Sequence, residues 1–256
     1  MSIARNILHA GRAIADGLGD LILPRTCLAC GSDSPAAGGL CGDCNVELLS
    51  LVSLPSCPRC GTTLGPNIPV RDDGCDGCPS TLPRFRQVIR LGPYAGPLRS
   101  IVKELKYRRR TMRRRLGEML GQAVRNRCAD ELDVVMPVPM HWRRRLARGQ
   151  DHAATLASAV AKPLGLPVGG ELVRIRNTPP QTHLPRSGRI ENVRGAFAVE
   201  LPDAVAGASV LLVDDVTTTG ATANEAARTL LRAGAVRVVL AVICKAEPPT
   251  AYSQPR

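Results

Sequence analysis

Apolar side chains in this chain gather into short unbroken runs instead of alternating with polar ones. Val210-Leu211-Leu212-Val213 is the plainest case, four consecutive apolar residues of the kind that form a strand buried on both faces. Asp214 and Asp215 stop the run, a Thr- and Gly-rich bend follows, and Ala221 to Ala233 has helical character. Asp133-Val134-Val135-Met136 predicts a second buried strand, cut off by Pro137 and Pro139 and followed by a helix running to about Leu164. Val88 to Tyr94 reads as a third strand, with Leu98, Ile101 and Leu105 marking one face of the next helix. Buried strands that alternate with helices predict an α/β fold around a parallel sheet.

The two ends of the chain differ from this pattern. Ile3, Ile7, Leu8, Ile14 and Leu18 recur at roughly helical spacing with Arg5 and Arg12 between them, which predicts an amphipathic helix over residues 1–24 that docks on its own protein. Residues 247–256, with Pro248, Pro249 and Pro255, read as a disordered tail. No run of 18 apolar residues occurs, so no transmembrane helix is expected. Aromatic residues make up only 2% of the 256, so the core must be built from Ala, Val, Leu and Ile.

Cysteine usage adds a second unit. Eight of the ten cysteines fall as Cys-x-x-Cys pairs: Cys27 and Cys30, Cys41 and Cys44, Cys57 and Cys60, Cys75 and Cys78. Glycines beside or within the pairs (Gly31, Gly42, Gly61, Gly77) let the backbone turn tightly enough for both sulfurs of a pair to face one ion. Two such knuckles supply the four tetrahedral ligands of a closed structural zinc site. The segment 25–82 is too short and too poor in large apolar side chains to fold on burial alone, so zinc must stand in for a core. Spacing leaves sequential and interleaved pairing of the knuckles both open. Reduced thiols predict a cytoplasmic protein. Cys128 and Cys244 are isolated in apolar surroundings and read as inert core residues.

Charge adds a candidate partner. The formal net charge is +12, and Arg99 to Arg148 alone holds 15 Lys or Arg against five Asp or Glu. Such a field attracts polyanions. Lys106, Arg108, Arg109, Arg110, Arg113, Arg114 and Arg115 are its densest part and the candidates for nucleic-acid contact. With so few aromatic side chains there is no base-stacking platform, so any DNA contact would fall on phosphates and be salt-sensitive.

The strand, acid pair and bend around Asp214 have the chemistry of a sugar-phosphate site. Ligands of open α/β sheets lie beyond the carboxyl ends of strands, where a helix N-terminus offers N–H groups to a phosphate. Asp214 and Asp215 suit vicinal sugar hydroxyls. Val216, Thr217, Thr218, Thr219, Gly220, Ala221 and Thr222 suit a phosphate, and Gly220 removes the side chain that would block close approach. The segment lacks the Gly-x-x-x-x-Gly-Lys-Ser/Thr of a P-loop. A second loop, Val138, Pro139, Met140 and His141 followed by Arg143, Arg144 and Arg145, suits a diphosphate, because guanidinium groups bind phosphate oxygens as planar forks. His141 reads as a hydrogen-bonding loop residue.

The Asp214 segment resembles the phosphoribosyl-pyrophosphate (PRPP) motif of type I phosphoribosyltransferases. By that resemblance the acid pair contacts the ribose hydroxyls and is the catalytic pair, the Thr-rich turn holds the 5'-phosphate, and Mg accompanies PRPP. Pro137-Val138-Pro139 with Arg143 to Asp151, the Leu98 to Tyr107 helix, the cysteine pairs, and Arg174 through Gln181 and Arg189 to Phe197 together resemble the ComF family along nearly the whole chain. The resemblance implies a phosphoribosyltransferase-like parallel-sheet domain over 83–246 behind a double zinc-ribbon module over 25–82. It implies a role in DNA uptake or handling, with single-stranded DNA and a competence helicase as partners, and a hood of arginines and amides over the ligand. Pro179 to Arg189 contains no acid, so no general base for a nucleobase acceptor is evident, and three functions remain open: a pentosyl transferase, a non-catalytic DNA-handling or ligand-sensing scaffold, and a nucleotide-binding protein without DNA.

Overall fold

The computed structural model describes residues 26–33, 39–65, 68–71, 74–79, 81, 83–105, 110–128, 131–142, 152–179 and 185–247. The expected helix over 1–24, Arg143 to Arg145, Lys106 to Arg109 and the residues after Glu247 lie outside them.

Four strands form one parallel sheet: β1 (Gln87–Pro93), β2 (Val134–Pro137), β5 (Ser209–Thr217) and β6 (Arg237–Lys245), in the order β1-β6-β5-β2. Because the apolar runs are unbroken, alternate residues feed two cores. Leu211, Val213, Val239, Ala241 and Ile243 pack on one face against α2 (Gly96–Glu104), α3 (Arg110–Cys128) and α4 (His152–Leu164). Val210, Leu212, Val238, Leu240 and Val242 pack on the other against α6 (Ala221–Arg232) and a short antiparallel pair, β3 (Leu172–Arg174) with β4 (Phe197–Val199). A helix α5 (Arg186–Val193) lies between these two strands in sequence. α3 and α4 approach closely at Gly121, where a Cβ would stand 2.4 Å from the Val160 carbonyl oxygen.

The cysteine segment packs on the same body. Helix α1 (Gly42–Val52) adds Cys44, Leu48 and Leu51 to the α2–α3 core, and Asn45 Oδ1 accepts a 2.8 Å hydrogen bond from Arg115. Glu247 departs from its placement in a disordered tail. Its side chain is 4% exposed, and its Oε1 accepts from Thr63 N at 2.7 Å and Arg90 Nη1 at 2.9 Å. Arg90 sits in a buried strand, and an unpaired guanidinium there would be costly, so Glu247, two residues past β6, is drawn inward to neutralise it. Cys128 and Cys244 are buried, and burial pushes both thiols up, consistent with inert core positions.

Candidate functional site: two cavities at the carboxyl end of the sheet

β2 and β5 are neighbours in register, with Pro137 opposite Val213. The loops leaving them therefore emerge side by side, and Val138 N donates to Val213 O at 2.8 Å. Asp214 stands where they diverge, and two cavities open around it.

The first cavity, about 260 Å³, is lined by Val138, Pro139 and Met140 of the β2 loop, by Asp214, Asp215 and Thr222, and by Arg113, His152 and Arg174. The second, also about 260 Å³, is lined by Asp214, Val216, Thr217, Thr218, Gly220, Ala221 and Thr222, with Arg189 opposite. Asp214 and Thr222 belong to both, so the two cavities share these residues as a common wall.

The second cavity is shaped for an anion. Gly220 caps α6 with φ 76°, a left-handed conformation that side-chain-bearing residues rarely take. Gly220 and the first helical turn, Ala221, Thr222 and Ala223, line the cavity, and a helix N-terminus there favours an anion. Thr219 Oγ1 accepts from Ala221 N at 3.3 Å and holds the turn from inside. Arg189 donates to Thr218 Oγ1 at 3.1 Å, and Lys245 donates to the Thr218 carbonyl, so two cations border the bend.

The acids are placed by their own backbone. Asp215 N donates to Asp214 Oδ1 at 2.9 Å and Val216 N to Asp215 Oδ1 at 2.7 Å, so both carboxylates are fixed at the strand end. Burial, reinforced by the neighbouring Asp215 charge, holds the Asp214 carboxyl well above the usual carboxylate range, and Arg174 opposes the shift. Arg174 is itself steadied by Thr178 Oγ1 at 2.6 Å and by the Phe197 ring, 5.5 Å from its guanidinium carbon.

The eight paired cysteines form two groups that follow chain order: Cys27, Cys30, Cys41 and Cys44, then Cys57, Cys60, Cys75 and Cys78. This settles the pairing that spacing left open. Within each group all four sulfurs lie within 4.8 Å of one another. Cys30–Cys41, Cys57–Cys78 and Cys60–Cys75 are each 3.7 Å apart. A tetrahedron with zinc–sulfur bonds of about 2.3 Å has edges of about 3.8 Å, so the spacing suits ZnS₄. The thiols also divide their protons unequally. Burial opposes ionisation of Cys27, yet N–H groups of Cys30, Cys41 and Ala29 hold its thiol down at about 6. Burial and the neighbouring sulfurs push Cys44 and Cys78 up, and Cys75 up to about 11. Four thiolates at this separation need a cation between them.

Comparison with known proteins agrees with both halves. Residues 18–79 match the double zinc ribbon domain and residues 150–254 the phosphoribosyl transferase domain. The DNA utilization protein YhgH of Escherichia coli (strain K12) is 32% identical over 234 residues, covering 88% of this chain and 99% of that protein. The chain belongs to the ComF family. Its relatives include the DNA utilization protein YhgH of Salmonella typhi, 33% identical over 81% of this chain and 90% of that protein. Competence protein F of Haemophilus influenzae is 28% identical over 81% and 91%. Among solved structures, the glutamine PRPP amidotransferase from B. subtilis complexed with ADP and GMP aligns with a TM-score of 0.37 at 24% identity. That alignment covers 54% of this chain and 30% of the enzyme's.

Within this ComF-family chain the structure brings together some of the residues singled out by sequence and separates others. Val138, Pro139, Met140 and the Asp214–Thr222 segment surround the paired cavities, with Thr219 turned to the backbone. His141 is buried, its ring 5.6 Å from that of Trp142, and it lines neither cavity. Of the basic run, Arg113, Arg114 and Arg115 are described with their side chains, and these three do not form one patch. Arg113 is 2% exposed, donates to the Leu105 carbonyl and lines the first cavity. Arg114 is exposed and pairs with Glu118 at 3.7 Å, while Arg115 turns to Asn45. Three consecutive residues point three ways because each helical step rotates the side chain by about 100°, so Arg113 is corrected from surface contact to cavity wall. His152 carried no signal, since a lone His at a helix start has no partner in sequence. Arg174 and Arg189 belong to the segment read as a hood, and both border the cavities. No helix among the described residues is long and apolar enough to cross a membrane.

Proposed function

We propose that this chain binds PRPP across the two cavities and acts inside the cell in the handling of DNA. The observation that carries the reading is that Asp214 and Thr222 line both cavities at the joined carboxyl ends of β2 and β5. One ligand with a phosphate at each end and a sugar between them fits that arrangement. The 5'-phosphate takes the Thr217–Thr222 bend with Arg189, the ribose hydroxyls donate to Asp214 and Asp215, and the diphosphate takes the β2 loop beside Arg113 and Arg174. Arg143, Arg144 and Arg145 follow that loop in sequence.

In the transfer reaction a nitrogen of an acceptor bonds to the anomeric carbon, the bond to pyrophosphate breaks with its electrons on the leaving oxygen, and the acceptor loses a proton. Carboxylate oxygens at the cavity are donors of the kind Mg takes, and Mg bound with PRPP would neutralise the leaving diphosphate. Arg113 and Arg174 supply fixed positive charge where pyrophosphate separates. The test is a calorimetric titration of PRPP with Mg, followed by pyrophosphate release across a panel of nucleobases. Saturable binding supports the ligand, and release with one acceptor supports the transferase. Absence of binding removes both.

A second reading, a DNA-binding scaffold, rests on a different surface. Arg114 and Lys162, with side chains 69% and 72% exposed, flank Glu118 where α3 and α4 meet, and Arg125 is exposed further along α3. These three exposed cations suit a phosphate backbone, and the relatives named DNA utilization protein favour DNA as the polyanion. Binding of single-stranded DNA that loses salt dependence when Arg114, Arg125 and Lys162 are neutralised supports it.

A further inference from the structure

The geometry points to the second cysteine knuckle as part of the phosphate site: Arg59, between ligand positions Cys57 and Cys60, positions the Thr217–Asn224 turn through segment 83–88, which leads into β1. This rests on the reading of that turn as the phosphate-binding element, and it adds that the cysteine cluster controls the turn.

The contacts run in one direction through a single layer of backbone. Arg59 Nη2 donates to the Pro83 carbonyl at 3.0 Å, Arg59 Nη1 donates to the Phe85 carbonyl, and Val88 N donates to the Pro58 carbonyl at 2.7 Å. The knuckle thus holds three points of segment 83–88. The far side of the same segment meets the phosphate turn. Arg84 N donates to Asn224 Oδ1 at 2.6 Å, and the Phe85 ring lies 3.5 Å from the point where a Cβ on Gly220 would stand. Asn224 N in turn donates to the Gly220 carbonyl at 2.8 Å, closing the first turn of α6.

A second strut reaches the other limb of the turn. Thr63, three residues past Cys60, and Arg90 both hold Glu247 Oε1. Ala246 N donates to the Thr217 carbonyl at 2.8 Å, and Lys245 donates to that of Thr218. Among the described residues the first cysteine cluster shows no such hydrogen-bonded route; it joins the core through α1, α2 and α3. Gly220 holds a left-handed conformation open to glycine, and the Phe85 ring, whose backbone carbonyl Arg59 holds, packs against it. Order in the second cluster therefore becomes order in the phosphate turn, and its loss costs ligand affinity before it costs the fold.

The experiment is a double-mutant cycle with Arg59→Ala and Asn224→Ala in the full chain. Three quantities are read: PRPP affinity with Mg by calorimetry, amide hydrogen exchange across residues 217–224, and bound zinc. Each single variant should weaken PRPP by about tenfold, the scale of one hydrogen bond to a fixed group. Each should speed exchange at 217–224 while α3 and α4 stay protected and zinc is retained. The double variant should be no worse than the poorer single one, because both cut one bridge, and Arg59→Lys should recover part of the effect. Unchanged exchange at 217–224 in both single variants, or effects that add in full, would overturn the inference. If the parent chain failed to bind PRPP, the ligand reading would fall, and the exchange data would still decide whether the knuckle orders the turn.

Discussion

Replacing Asp214 with Asn separates a binding residue from a structural one, because the two roles predict opposite signs. The carboxyl is held above its ordinary range by burial and by Asp215 beside it. The folded chain therefore keeps this proton to a higher pH than the unfolded chain does. The group's contribution to stability is complete at acid pH and is lost as pH rises from the ordinary carboxylate range through the raised value. At neutral pH a charged Asp214 thus opposes folding. Asn keeps an oxygen to accept the Asp215 N–H and lacks the charge. The variant should melt a few degrees higher than the parent at neutral pH, and the gain should vanish on acidification. Ligand binding should move the other way. A hydrogen bond to a charged acceptor is worth about 1.5–3 kcal/mol, so losing it should weaken PRPP by roughly 10- to 150-fold. Thermal denaturation from acid to neutral pH, paired with PRPP titration, reads both. A variant that melts well below the parent and still binds PRPP would make Asp214 a structural partner and refute the reasoning.

Other expectations follow from single contacts. Two ZnS₄ sites predict two zinc ions per chain by elemental analysis, and one per chain would mean that one cluster is not a metal site. Gly121→Ala pushes a methyl into the Val160 carbonyl and should cost about 1–3 kcal/mol in urea denaturation, whereas an unchanged midpoint would show that α3 and α4 can separate freely. Arg90→Met leaves Glu247 buried without its cation and should cost about 3–5 kcal/mol. A double variant with Glu247→Gln should recover part of that loss, and no recovery would mean that the pair does not act as a unit. PRPP affinity should rise with pH as Asp214 loses its proton, and a flat profile from mildly acid to alkaline pH would show that its charge is not used.

Much of this arrangement was legible in the chain because its signals are local. Val210 to Val213 forms a strand by its own composition, and the acids and Gly220 that follow carry their chemistry in a few consecutive residues. Cysteine pairs declare a metal in the same way, but which pairs share an ion depends on how the chain between them turns. Charge runs mislead for a related reason. Arg113, Arg114 and Arg115 look like one patch in sequence, and helical rotation sends one into a cavity, one to solvent and one to α1. Glu247 looked like tail because the partners that bury it, Thr63 and Arg90, are far away in sequence. The coupling of Arg59 to Asn224 is of the same kind, visible only once segment 83–88 lies between them.

A crystal structure of the chain grown with PRPP and Mg tests the paired cavities most directly. The 5'-phosphate should lie within hydrogen-bonding distance of the backbone N–H groups of the Thr217–Thr222 bend, with the ribose hydroxyls on Asp214 and Asp215. A sugar phosphate bound elsewhere, or a bend that stays empty at saturating ligand, would contradict this placement.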